Sequence, residues 1–352
     1  DLVTNFGDER RTEITASKRD LTVEDLIPEE DRVVTISHGG YAKSQPLDDY
    51  RAQRRGGTGR SATAVKDEDF VEHLLIANTH DTILLFSNVG KVYWMKVFHI
   101  PIAGRGSRGR PVVNMLPLDQ GERITSILPV AEYLEDHYIF MATASGIVKK
   151  TALTDFSRQR SVGLRAIELD EDDVLIGTAI TDGASDVLLV SSEGKTVRFK
   201  ETAVRAMGRT ARGVRGIKMG EDQHLIALMI PRVDGRVLTV SEHGYGKRTH
   251  VDEFPVKGRG TQGVIGMQTS ERNGRLVGAI QVDAGNEMML ISDQGTLVRC
   301  RTDEVSELGR NTQGVRVIRL KEGESLVSVA RIEDTDNEDA DEPAAEEGGS
   351  ES

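Results

Sequence analysis

The residues whose types and spacing could do chemistry in this chain are arginines and lysines set in glycine-rich stretches that hold no carboxylate. Residues 51–66 carry Arg51, Arg54, Arg55, Arg60 and Lys66, residues 96–118 carry Lys96, Arg105, Arg108 and Arg110, and residues 156–167 carry Arg158, Arg160 and Arg165. Residues 202–220 add Arg205, Arg209, Arg212, Arg215 and Lys218; later stretches add Lys257 and Arg259, then Arg310, Arg316, Arg319 and Lys321. Guanidinium groups and the free N–H groups of glycine-rich loops bind phosphate oxygens without reading base identity. The chemistry implied is sequence-neutral contact with duplex DNA along its backbone. One such loop would be ordinary solvated surface, but six on a net acidic chain point to a common cause.

That cause is an internal repeat. Six segments share an apolar run, a Ser/Thr-x-x-Gly turn and a strand-like stretch. The turn glycines are Gly40, Gly90, Gly146, Gly194, Gly244 and Gly295, and three residues before them lie Ser37, Ser87, Thr143, Ser191, Ser241 and Ser292. At such a turn the hydroxyl accepts a backbone N–H, and the glycine takes the positive φ that closes a type I turn with a bulge. A second glycine follows 19 residues later at Gly59, Gly109, Gly213, Gly263 and Gly314, and 17 later at Gly163. Runs such as 83–86 and 187–190 read as buried strands, and 195–200 alternates with Val197 and Phe199 on one face. Stretches such as 214–217, then apolar strands at 225–230, 276–282 and 326–330, bring each copy to about four strands.

No apolar 3.6-residue period separates these strands, so the class is all-β, with one short helix suggested at 20–27. Six units of equal size protect their strand edges best by closing radially. The expected architecture is a six-bladed, propeller-like ring over residues 32–331, after a linker at 1–31 and before an acidic disordered tail at 332–352. Rotation would carry the six basic loops to one rim. A duplex bent along it costs roughly 1–6 kcal/mol for 40–90°, which many phosphate contacts can offset.

Of 352 residues, 45 are Lys or Arg and 57 are Asp or Glu, a net charge of −12. The acidic excess sits at the ends: 332–352 holds 10 acids and no Lys or Arg, and 1–31 holds 10 acids against 4 basic residues. The remainder is mildly basic. With 8 Phe, 6 Tyr and 1 Trp, the chain is too poor in aromatics for a single-strand stacking platform. Its one cysteine, Cys300, can form neither an internal disulfide nor, alone, a zinc site. Residues 104–109 and 258–263 match G-x-G-x-x-G, but both occupy the same place in the repeat with no helix after them, so they read as loop punctuation. The eight histidines show no metal spacing, and no P-loop, G-x-S-x-G or cysteine–histidine pairing occurs. No catalytic or metal site is expected. No apolar run is long enough to span a bilayer, and a cytoplasmic location is expected.

At Gln53 to Gly59 the chain reads QRRGGTG. This resembles the QRRGGKG box of a known family, the C-terminal domain of the A subunit of bacterial DNA gyrase. Six degenerate repeats of about 50 residues, the EDLIPEED segment at 24–31 and the acidic tail resemble that family across essentially the whole chain. The resemblance implies a six-bladed β-pinwheel with strand exchange between neighbouring blades. It implies wrapping of DNA around the rim with positive handedness, so that strand passage introduces negative supercoils. It assigns the box to Gln53, Arg54, Arg55, Gly56, Gly57 and Gly59, where it relates to closing the ring or anchoring the wrap; Thr58 replaces the family's basic residue. It further implies a non-catalytic part of an ATP-dependent type II topoisomerase. The partners would be the remainder of the gyrase A polypeptide and the gyrase B polypeptide in a heterotetramer, with ATP and magnesium used elsewhere and no cofactor in this domain. Residues expected to touch DNA are those of the box with Arg60, Arg105, Arg108, Arg110, Arg158, Arg160, Arg209, Arg212, Arg215, Lys257, Arg259, Arg310 and Arg316. Two alternatives are a topoisomerase IV-type C-terminal domain and a propeller-like protein-interaction scaffold, which should present an apolar face instead of arginine loops.

Overall fold

A computed structural model describes residues 23–47, 71–104 and 106–332. Its chain is built around six hairpins. Their first strands are β1 (Asp31–Ser37), β4 (Thr82–Ser87), β8 (Tyr138–Thr143), β12 (Asp186–Ser191), β16 (Arg236–Ser241) and β20 (Glu287–Ser292). Their second strands are β2 (Tyr41–Pro46), β5 (Lys91–Lys96), β9 (Ile147–Ala152), β13 (Lys195–Lys200), β17 (Tyr245–His250) and β21 (Leu297–Arg301). The six turn glycines all have φ between 71° and 83°. The turn hydroxyl accepts the expected N–H in five copies, for example Tyr41 N to Ser37 Oγ at 3.2 Å and Lys195 N to Ser191 Oγ at 3.1 Å. Ser241 departs, its hydroxyl donating instead to the Tyr245 carbonyl.

A third strand of each repeat pairs with the first: β3 (Val71–Asn78), β7 (Ile124–Val130), β11 (Leu175–Thr181), β15 (Leu225–Met229), β19 (Leu276–Val282) and β23 (Leu326–Ile332). From β7 round to β23 the third strands pack beside one another around a central axis, and β23 lies against β3, bringing the sixth blade to the first. The fourth strands are two residues each: β6 (Arg110–Pro111), β10 (Leu164–Arg165), β14 (Val214–Arg215), β18 (Val264–Ile265) and β22 (Val315–Arg316). Each pairs with the second strand of the preceding repeat, so β6 closes the sheet β3-β1-β2-β6 and β22 closes β19-β16-β17-β22. Each of the first five blades is therefore completed by its successor. The sixth sheet is β21-β20-β23, with no outer strand on β21 among the described residues.

The first strands are apolar at nearly every position because they are buried on both faces. Ile83 and Leu85 pack with Val34 and Ile36 of the first blade, while Leu84 and Phe86 pack with Ile139 and Met141 of the third. The same alternation joins blades four and five through Leu188, Val190 and Val237, and blades five and six through Leu238, Val240 and Leu290. Each such side chain contributes about 1.5–3 kcal/mol by leaving water. Asp31 and Ile332 both pair within strands, at the ends of β1 and β23. The short helix suggested at 20–27 is one 3-10 turn at Glu24–Leu26 among the described residues.

Candidate nucleic-acid interface

Because the third strands line the axis, the fourth strands form the outer edge of each of the first five blades. Among the described residues, the second glycines Gly109, Gly163, Gly213, Gly263 and Gly314 permit this exchange. Gly213 has φ 108°, and a Cβ there would lie 2.5 Å from the Val148 carbonyl of β9. Immediately after it, Val214 and Arg215 pair with Val148 and Ile147. The basic, acid-free stretches from residue 96 onward thus lead into the outermost strands, and the G-x-G-x-x-G matches at 104–109 and 258–263 precede β6 and β18.

Along this edge Arg108, Arg110, Arg158, Arg160, Arg212, Arg215, Lys257 and Arg316 are exposed. Arg209, Arg259 and Arg310 are half-buried, each donating to a carbonyl of the preceding repeat: Arg209 to Asp155 at 2.7 Å, Arg259 to Ala203 at 2.8 Å, Arg310 to Ile265 at 3.1 Å. These three therefore also fasten one repeat to the next. Tyr41 and Tyr245, each just after a turn glycine, carry rim guanidiniums on their faces: Arg108 at 4.4 Å from the ring centre and Arg316 at 5.3 Å. Arg316 also donates to the Tyr245 hydroxyl at 2.8 Å.

Carboxylates reach the rim in more than one place: Glu253 accepts the Arg310 backbone N–H at 2.8 Å, and an acidic turn supplies two ion pairs. Arg212 pairs with Asp170 and Arg165 with Glu168, both in the acidic turn before β11. Those contacts are exposed, where an ion pair is worth about 0–1 kcal/mol and yields readily to phosphate. Gln53, Arg54, Arg55, Gly56, Gly57, Gly59, Arg60 and Arg105 lie outside the described residues. No group of His, Cys, Asp and Glu able to hold a metal ion occurs among the described residues, and none of their helices is long and apolar enough to cross a membrane.

Two buried cations are not foreshadowed by the sequence pattern. Lys149 of β9 and Lys247 of β17 are fully buried beneath the rim loops of the following repeats. Lys247 Nζ donates at 2.6 Å to the carbonyls of Gly309 and Arg310 and at 3.2 Å to the Thr312 hydroxyl. Lys149 Nζ donates to the carbonyls of Ala166, at 2.6 Å, and Arg209. Burial lowers both ammonium groups to about 8; Arg209 and Arg310 push in the same direction, and Asp155 and Glu253 oppose. The one signal is positional: Lys43, Lys149 and Lys247 each stand three residues after a turn glycine in alternate repeats, where the others have Tyr93, Val197 and Val298.

A six-bladed ring whose first five blades are finished by their successors, with cations on or shortly before the finishing strands, defines the class of the molecule. The family described as DNA gyrase C-terminal domain, beta-propeller, matches six segments, 31–78, 81–131, 137–182, 185–232, 235–283 and 286–333, and the chain belongs to that family. It is 60% identical over 337 residues to the DNA gyrase A polypeptide of Salmonella typhimurium and 56% identical over 337 residues to that of Escherichia coli, covering 96% of this chain in both cases. It spans 38% of the length of each of those two relatives. Among solved structures, the C-terminal domain of DNA topoisomerase IV aligns with a TM-score of 0.77 at 26% identity, covering 87% of this chain and 94% of that one. A DNA gyrase A C-terminal domain aligns at 0.65 and 29% identity, covering 86% and 100%.

Proposed function

We propose that this chain binds duplex DNA without sequence specificity and wraps it around the rim of the ring. It would be a non-catalytic part of a gyrase A polypeptide that works with gyrase B in a heterotetramer. The bend presents a neighbouring segment of the same DNA for strand passage, and negative supercoils result. The observation that carries this reading is the strand exchange, which brings the glycine-arginine stretches to the outer edge of successive blades. Many weak phosphate contacts along a curved edge suit a stiff polyanion and leave base edges unread.

The box residues Gln53, Arg54, Arg55, Gly56, Gly57 and Gly59 belong to the first repeat, whose second glycine lies outside the described residues. β21 is the second strand with no outer partner among them. Family resemblance relates that box to ring closure or to anchoring the wrap. A topoisomerase IV-type role is the second reading, favoured by the 0.77 TM-score; the box and 60% identity to a gyrase A polypeptide favour the first.

Salt-titrated binding to a duplex tests the proposal. Log K is expected to fall linearly with log salt, with a slope near −0.9 for each neutralised phosphate, about −5 or steeper for a wrap over several blades. A slope near zero, or no binding at low salt, would point to a protein-interaction scaffold instead.

A further inference from the structure

Lys149 and Lys247 pose a physical question that fastening alone does not answer. A wholly buried ammonium is costly, and the same place in the repeat is filled by Val197 in the fourth blade and Val298 in the sixth. The fold therefore does not require a lysine there. At Lys149 and Lys247 one of the acceptors is the main chain of a rim arginine itself: Arg209 above Lys149, Arg310 above Lys247. Lys43, at the same place in the first blade, is only half-buried and donates to the loop carbonyls of Gly104 at 3.3 Å and Ser107 at 3.0 Å. The charged groups facing Lys149 are Asp155, from the 3-10 turn after β9, and Arg209; those facing Lys247 are Glu253, from the turn after β17, and Arg310.

We propose that Lys149 and Lys247 are positioning residues of the DNA-binding rim, each fixing the main chain of the arginine above it and adding a buried cation whose protonation is coupled to phosphate docking. The proposal rests on the rim reading given under Proposed function. In the free protein, burial and the nearby guanidinium disfavour the charged lysine. A phosphate that neutralises Arg209 or Arg310 removes part of that penalty, so the lysine binds a proton as DNA binds. Low dielectric around the site strengthens the coupling.

Calorimetric titration of the 352-residue chain with a duplex at pH 8, in buffers of different ionisation enthalpy, reads this directly. Uptake of about half a proton per lysine is expected, with affinity falling between about pH 7 and pH 9. The double variant Lys149→Met, Lys247→Met is expected to abolish the uptake and weaken binding about tenfold at about pH 7, the loss of two charge-assisted arrangements. A wild-type chain that binds DNA without proton uptake, or a folded double variant with undiminished uptake, overturns the proposal. Without DNA, the backbone amide resonances of Arg209, Arg310 and Thr312 are expected to titrate with a midpoint near 8 in the wild type and not in the variant. Resonances that stay still overturn the coupling too. Failure of the wild type to bind DNA would refute the rim reading, while this DNA-free titration still decides whether lysine and arginine are linked.

Discussion

Replacing Gly213 by alanine tests the exchange of strands at the rim. The residue has φ 108°, a region that costs an L-residue about 1–2 kcal/mol. Its new Cβ would lie 2.5 Å from the Val148 carbonyl and 2.9 Å from Ile147 Cγ2, well inside ordinary contact. Relief requires β14 to lift from β9, forfeiting the pairing of Val214 with Val148 and Arg215 with Ile147 at about 1 kcal/mol net per hydrogen bond. The total is about 2–4 kcal/mol. Gly208, five residues earlier on the same loop, is the control: a Cβ there meets nothing within 4 Å, and its φ is not positive, so its alanine variant should change stability by less than about 0.5 kcal/mol. Urea unfolding of both variants measures the difference, and salt-titrated binding should show Gly213→Ala losing about one phosphate's worth of slope as Arg215 is displaced. If Gly213→Ala unfolds like Gly208→Ala and binds like the wild type, the second glycine does not serve close approach and the account of the rim is wrong.

Other outcomes follow from the same geometry. Arg158→Ala with Arg160→Ala removes two exposed cations without disturbing a strand, and should lower the salt slope by about 1–2 at unchanged melting temperature; an unchanged slope would place DNA elsewhere. The buried lysines give a signed pH dependence of stability. Below about pH 8 both folded and unfolded states carry the proton and there is no slope. Between about 8 and 10.5 the unfolded state binds more protons, so stability rises with pH by up to about 1.4 kcal/mol per unit for each lysine, and urea midpoints at about pH 7.5 and 9.5 should show that rise shrinking in Lys247→Met. Leu84→Ala, between the second and third blades, should cost about 2–5 kcal/mol by calorimetry or denaturant, and a value below about 1 would mean the blades are not packed as described. Deleting residues 333–352 removes the acidic tail and should strengthen binding at low salt; wrapping left unchanged would limit that tail to a solvated end.

Much of the architecture is legible in the sequence because its elements repeat a local rule. The hydroxyl and glycine of each turn act within four residues of one another, so Ser37 and Gly40 announce a hairpin by themselves. The apolar runs at 83–86 and 187–190 announce burial on both faces. The pairing of the outer strands is not readable from residue patterns, because Val214 finds its partner at Val148, far earlier and in another repeat. Nothing local in Val-Arg-Gly-Ile says which edge it will complete. The arginines illustrate the same limit. Arg209, Arg259 and Arg310 look like free surface charge in sequence, yet each also holds a carbonyl of the previous repeat. Lys149 and Lys247 stand on basic strands at the place that Val197 fills in the fourth repeat, and they are buried because the next repeat folds over them.

The central claim is that duplex DNA follows the outer edge of the ring with positive handedness. Its most direct test is to bind the chain to nicked circular DNA, seal the nick, remove the protein and resolve the topoisomers. The account predicts a shift of the distribution toward positive linking difference that grows with protein concentration and disappears in high salt. Sealed circles indistinguishable from protein-free controls, under conditions where the chain is bound, or a shift toward negative linking difference, would contradict it.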